Sequence, residues 1–88
     1  MRYRRNESVT ITTVDDGSFL VEPETQDIFY LDGLAAGIWA ALAEAATLAE
    51  LQDLVAEAFP QTSRQIVDSD VCSLLDDMTG RKLLLAEA

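Results

Sequence analysis

A switch in apolar periodicity near residue 32 divides this chain and fixes most of what it can fold into. Ser8 to Val14 (Ser-Val-Thr-Ile-Thr-Thr-Val) alternates and is rich in β-branched residues, placing Val9 and Ile11 on one face and Thr10 and Thr12 on the other. Asp15-Asp16-Gly17 is a turn signal, after which Ser18 to Glu22 resumes the extended pattern. A polar connection from Pro23 to Asp27 leads to Ile28-Phe29-Tyr30-Leu31, a short third strand with Phe29 and Leu31 on one side and Ile28 and Tyr30 on the other. Two successive hairpins predict a three-stranded antiparallel meander. At least one of its edges stays open.

From Asp32 onward the period is helical. Asp32 caps a first helix of roughly Gly33 to Ala43, with Leu34, Ile38, Trp39 and Leu42 as its apolar stripe. Thr47-Leu48-Ala49-Glu50 is a capping box, in which hydroxyl and carboxylate each satisfy an amide that the helix start would leave orphaned. It opens a second helix through about Ala58, with Leu51, Leu54, Val55 and Phe59 facing inward, and Pro60 stops it. Thr62 or Ser63 starts a third helix to about Thr79, with Gly80 in the usual C-terminal position and Val67, Val71, Leu74 and Met78 as its core stripe. Lys82 to Leu85 forms a short closing strand, and Arg2-Tyr3-Arg4-Arg5 reads as a frayed terminus. Without repeats or linkers, residues 1–88 make a single domain. Its expected class is α+β: a small winged-helix-like domain, with a three-stranded antiparallel N-terminal sheet followed by three helices.

Charge narrows the function. Sixteen acidic and 6 basic residues give a formal charge of −10. Hydrophobic residues make up 49 % of the chain, which separates it from acidic disordered tails that lack the apolar surface to offset folding entropy. Between Asn6 and Ser63 there is no Lys or Arg, against eleven Asp and Glu. In winged-helix folds the third helix often enters DNA, but here it carries Asp68, Asp70, Asp76 and Asp77 against Arg64. Nucleic acid is therefore an unsuitable partner.

The inventory removes several chemistries. With no histidine there is no imidazole base, no Ser-His or Cys-His dyad and no imidazole metal ligand. Cys72 is the only cysteine, which excludes an intramolecular disulfide or thiolate cluster and fits a reducing cytoplasm. The first twenty residues contain no apolar run of signal-peptide length, and no segment approaches the ~20 residues of a membrane span. The expectation is a cytoplasmic, non-catalytic domain with no cofactor or metal and no membrane association. Trp39 reads as core, Cys72 as a small hydrophobe and Asp76-Asp77 as a solvated face.

An ordered set of these segments is familiar. Leu20-Val21-Glu22-Pro23-Glu24-Thr25 leads into Ile28-Phe29-Tyr30-Leu31-Asp32 and then Gly37-Ile38-Trp39. Downstream come the Thr47 capping box, Asp70-Val71 with Leu74-Leu75, and Gly80 followed by Leu83-Leu84. The combination, over roughly Ser8 to Leu85, resembles the PqqD family of pyrroloquinoline quinone synthesis proteins, also known as the RiPP recognition element. One departure is Asp32, where the family commonly has Asn; both residues cap helices.

The resemblance implies a peptide-binding adaptor that holds the leader segment of a precursor peptide and presents it to a radical SAM enzyme, a cyclase or a leader peptidase. It implies that the leader adds as a strand to the third strand of the meander, in a groove beside the third helix. On this chain the strand is Asp27, Ile28, Phe29, Tyr30 and Leu31. The pocket is expected at Asp68, Val71, Cys72 and Leu75, against Phe29 and Leu31. Asp27, Asp68 and Asp76 around its rim would favour a leader bearing Lys or Arg. The same open edge permits a homodimer.

Two rivals come from other classes. Asp68-Ser69 superficially matches the phosphopantetheine site of an acyl or peptidyl carrier protein. However, Asp70 follows where an apolar residue is usual, only 19 residues remain, and the strand-rich first third does not suit a helical bundle. An acidic winged-helix regulator that binds a folded partner is the other.

Overall fold

The computed structural model describes residues 1–15 and 17–87, so Asp16 in the expected first turn lies outside them. In chain order its elements are β1 (Arg2–Arg5), β2 (Thr10–Val14), β3 (Gly17–Val21), β4 (Ile28–Leu31) and α1 (Gly33–Ala41), followed by β5 (Ala46–Thr47), α2 (Leu48–Ala58), α3 (Arg64–Gly80) and β6 (Leu84–Glu87). The meander is present as a sheet of order β2-β3-β4, all antiparallel. Three helices follow it, as the sequence predicts.

The register places Ile11, Leu20 and Phe29 side by side on one face, and Thr12, Phe19 and Tyr30 on the other. Leu20 and Leu31 are buried on the inner face, together with Ile38, Trp39, Leu51, Val55, Val67, Val71 and Met78 from the helices. On the outer face Val14, Ile28 and Tyr30 are exposed. Gly17 makes the tight start of β3 possible. Its φ is +148°, and a Cβ there would lie 2.6 Å from the Tyr30 hydroxyl oxygen.

The helix starts follow from the sequence. Asp32, Thr47 and Ser63 each accept a hydrogen bond from the amide three residues on, and the Thr47–Glu50 box is closed in both directions. Hydrogen bonds from Thr47 hold the Glu50 carboxyl below the usual range for its type.

Several expectations change. The first five residues are not frayed: β1 is the central strand of a second antiparallel sheet, order β5-β1-β6, with Arg2 opposite both Thr47 and Glu87. Tyr3 is buried in the core, Arg4 pairs with Glu87, and Arg5 stacks 4.7 Å from the Trp39 ring while its Nε donates to the Trp39 carbonyl at 2.9 Å. This bond satisfies a carbonyl near the end of α1.

On α2, Leu54 and Phe59 do not join Leu51 and Val55 in the interior; both are 47 % exposed. On α3, Leu75 and not Leu74 joins Val67, Val71 and Met78 in the buried core stripe, and Leu74 lies half-buried beside it. Helix α3 does not end on a left-handed Gly80. Its left-handed residue is Lys82, at φ 63°, and the Leu83 amide donates to the Met78 carbonyl at 2.9 Å while that of Lys82 reaches Thr79. This is a Schellman closure with lysine at the position that glycine normally fills.

Two expected outcomes follow from these ends. Lys82→Gly removes the left-handed cost of a side chain and should stabilise the domain by about 1 kcal/mol in urea unfolding, since the exposed Lys82–Glu24 pair contributes little. Because folding lowers the Glu50 pKa, its contribution is present at neutral pH and lost as pH falls through the folded value. Circular dichroism on acidification should show that loss, and it should be reduced in Glu50→Gln.

Candidate functional site

The β3–β4 connection is built around one carboxylate. Glu22 is 1 % exposed, and its Oε2 accepts the Thr25 amide at 2.8 Å and the Thr25 hydroxyl at 3.2 Å. Its backbone closes the same turn: the Glu22 amide donates to the Asp27 carbonyl and its carbonyl accepts from Gln26, whose φ of 61° completes the reversal. A buried carboxylate is tolerable only when hydrogen-bonded, and the turn supplies the donors.

The Glu22–Asp27 bond also sets which backbone groups face outward. Hydrogen-bonded pairs alternate along an antiparallel ladder, so Phe29 and Leu31 direct their amides and carbonyls toward β3. Those of Ile28 and Tyr30 point away from it. Within its sheet β4 is the edge strand, with β3 on its one paired side.

Helix α3 passes this edge with two different flanks. On one, Arg81 lies 5.5 Å from the Phe29 ring centroid, and Asp70 shares a hollow with Leu34, Val67 and Phe59. Residues 70, 74, 77 and 81 are spaced four, three and four apart, so Leu74 and Asp77 lie on this same stripe. On the other flank, Arg64 ties Asp68 to Asp53 of α2 at 2.7 and 2.6 Å. Cys72 and Asp76 lie near Tyr3, whose hydroxyl pKa is raised by burial and then by those two groups.

The anticipated site residues therefore separate. Asp27, Ile28, Phe29, Tyr30 and Leu31 occupy the edge strand and its approach, with Phe29 half-buried and Leu31 in the core. Val71 and Leu75 are both 0 % exposed, so they support the floor from beneath and do not line a surface. Asp68 and Cys72, with the rim residue Asp76, lie on the flank toward α2 and β1, away from β4. Asp70, Leu74 and Arg81 are the α3 residues on the side toward β4 and α1. A sequence signal existed for Leu74: it lies one turn from both Asp70 and Met78, on the border of the core stripe.

No helix among the described residues is long and apolar enough to cross a membrane, and no group of three or more metal-ligating side chains is found among them.

Sheet, edge and flanking helix together define a small α+β domain that displays one strand beside a helix groove. A family model described as Coenzyme PQQ synthesis protein D (PqqD) matches residues 17–84, and the chain belongs to that family. Among solved structures it is similar to TbiB1 in complex with the TbiA(beta) leader peptide, at 25 % identity and a TM-score of 0.81, covering 97 % of this chain and 98 % of that one. It is also similar in fold to lasso peptide synthetase B1 complexed with the leader peptide, at 17 % identity and a TM-score of 0.78, covering 96 % and 98 %. No curated protein matches the chain.

Removal of the Glu22 carboxylate tests the anchor. Glu22→Ala should cost about 1.5–3 kcal/mol of stability, because charged hydrogen bonds to Thr25 are lost. The β4 amides should then exchange with solvent faster than those of α3 in hydrogen-exchange NMR.

Proposed function

We propose that this domain is a non-catalytic adaptor: it binds the leader segment of a ribosomally made precursor peptide as an added strand on β4 and presents it to a modifying enzyme. The observation that carries this reading is the placement of edge strand β4 beside the Asp70–Arg81 flank of α3, in a fold whose solved relatives TbiB1 and lasso peptide synthetase B1 are complexed with leader peptides. The modifying enzyme is a radical SAM enzyme, a cyclase or a leader peptidase, acting in PQQ or other modified-peptide synthesis. The outer sheet face, where Val14 and Ile28 are exposed, offers apolar area for it.

Magnitudes show why the helix matters. Strand addition that forms four ladder hydrogen bonds would be worth about 4 kcal/mol together and so give near-millimolar affinity. Micromolar binding needs about 8 kcal/mol. Two apolar leader side chains buried in the groove, at roughly 1.5–3 kcal/mol each, supply the difference. Phe29, Leu74 and Leu34 are the half-buried apolar groups positioned to receive them.

The decisive experiment titrates the protein with the leader of a short precursor encoded beside it, followed by amide NMR. Shifts should concentrate on residues 27–31 and on the Asp70–Arg81 flank; shifts confined elsewhere would refute the groove. Leu74→Asp should weaken binding about 10- to 100-fold while the domain stays folded, and Cys72→Ser on the opposite flank should leave affinity unchanged. Val71→Asp and Leu75→Asp are unsuitable probes, since both positions are fully buried. Affinity for a folded partner with none for an extended peptide would favour the acidic regulator instead.

A further inference from the structure

The two ends of the groove differ in charge. At the Phe29 end, Arg81 holds Asp77 at 3.0 Å and also covers the Phe29 ring, so the local carboxylate has its counter-charge. At the other end, where β4 passes into α1, two adjoining hollows of about 200 and 170 Å³ share Leu34, Val55 and Phe59 as walls. The larger is completed by Thr62, Val67 and Asp70. Among the described residues Asp70 has no ion pair and no side-chain hydrogen bond. Arg64, the basic residue nearest to it along α3, is already held between Asp53 and Asp68.

An apolar-walled hollow with a single uncompensated carboxylate at its lip suits one class of side chain. Its ligand needs several methylenes to fill the walls and a cation that remains at the wet rim. Lys and Arg have that form, since they bury their stems along apolar surface while the charged head stays in water. An apolar residue would fill the walls but leave Asp70 without a counter-charge, and an acidic residue would be repelled. The net charge of −10 deepens that discrimination over longer range.

We infer that this hollow selects a Lys or Arg in the bound peptide, next to the segment that pairs with β4, with Asp70 as its counter-charge. The inference rests on the adaptor reading and adds the chemistry of the leader. It also relocates the basic preference from Asp68 and Asp76, on the far flank, to Asp70.

The test is a selection of binders from a library of short randomised peptides, using the wild-type protein and Asp70→Asn in parallel. Asp70 is exposed, so the variant should keep its fold. Wild-type binders should share a Lys or Arg at one fixed distance from an apolar stretch, and this preference should disappear with Asp70→Asn while the apolar preference persists. Replacing that Lys by Met in one selected peptide should weaken binding to wild type about fivefold, as for a solvent-exposed ion pair, and should not weaken binding to Asp70→Asn. Binders that shift the β4 amides but show no basic preference, or one that Asp70→Asn retains, would overturn this inference alone. Binders that leave β4 unshifted would overturn the adaptor reading with it.

Discussion

A carboxylate with almost no access to water is held by the amide and hydroxyl of a threonine three residues ahead, and the exposed edge depends on that arrangement. Glu22 and Thr25 fix the path of the connection, the connection fixes which residue of β4 faces which residue of β3, and that register decides which backbone groups point outward. A slip of one residue would turn Phe29 and Leu31 out and bring Ile28 and Tyr30 in. Recognition by strand addition is especially sensitive to such a slip, because backbone pairing and side-chain pockets must agree along the same few residues. The buried charge is thus a local device with a functional consequence at the far side of the strand.

The faces of helix α3 have different surroundings. Its central stripe of Val67, Val71, Leu75 and Met78 is buried, and the flank with Asp68 is engaged with α2 through Arg64. The remaining flank, from Asp70 to Arg81, borders β4 and α1. Substitutions on that flank can change the surface beside β4 without disturbing the core. In a DNA-reading winged helix the third helix is the reading head. Here it forms one wall of a groove, and its aspartates make that wall repel phosphate.

Local rules made much of this legible in advance. Side-chain caps at Asp32, Thr47 and Ser63 were visible because each depends on residues three apart, and the meander was visible because alternation and turn residues agree. Strand β1 was hidden for the opposite reason. Arg2-Tyr3-Arg4-Arg5 looks like a basic tail until Leu84–Glu87, far along the chain, pairs with it, and Trp39 receives Arg5. The core stripe of α3 was legible only to within one residue. Helical spacing from Val71 admits either Leu74, three residues on, or Leu75, four on, and only packing chooses Leu75 for the core. Leu54 and Phe59 fit an inward stripe equally well on paper, yet they border a hollow that no other side chain fills.

The pairing of β1 with β6 brings Arg2 opposite Glu87, so residues far apart in sequence meet at one end of a ladder. Pulling on this pair from its outer end would open it like a zipper, one hydrogen bond at a time, rather than shear all its bonds at once. Force applied there acts on the second sheet and not on β4. The same geometry places Arg2 and Glu87 side by side. A unit arranged this way can be set into a surface loop of a larger protein through two adjacent junctions, with its edge strand and groove still facing outward.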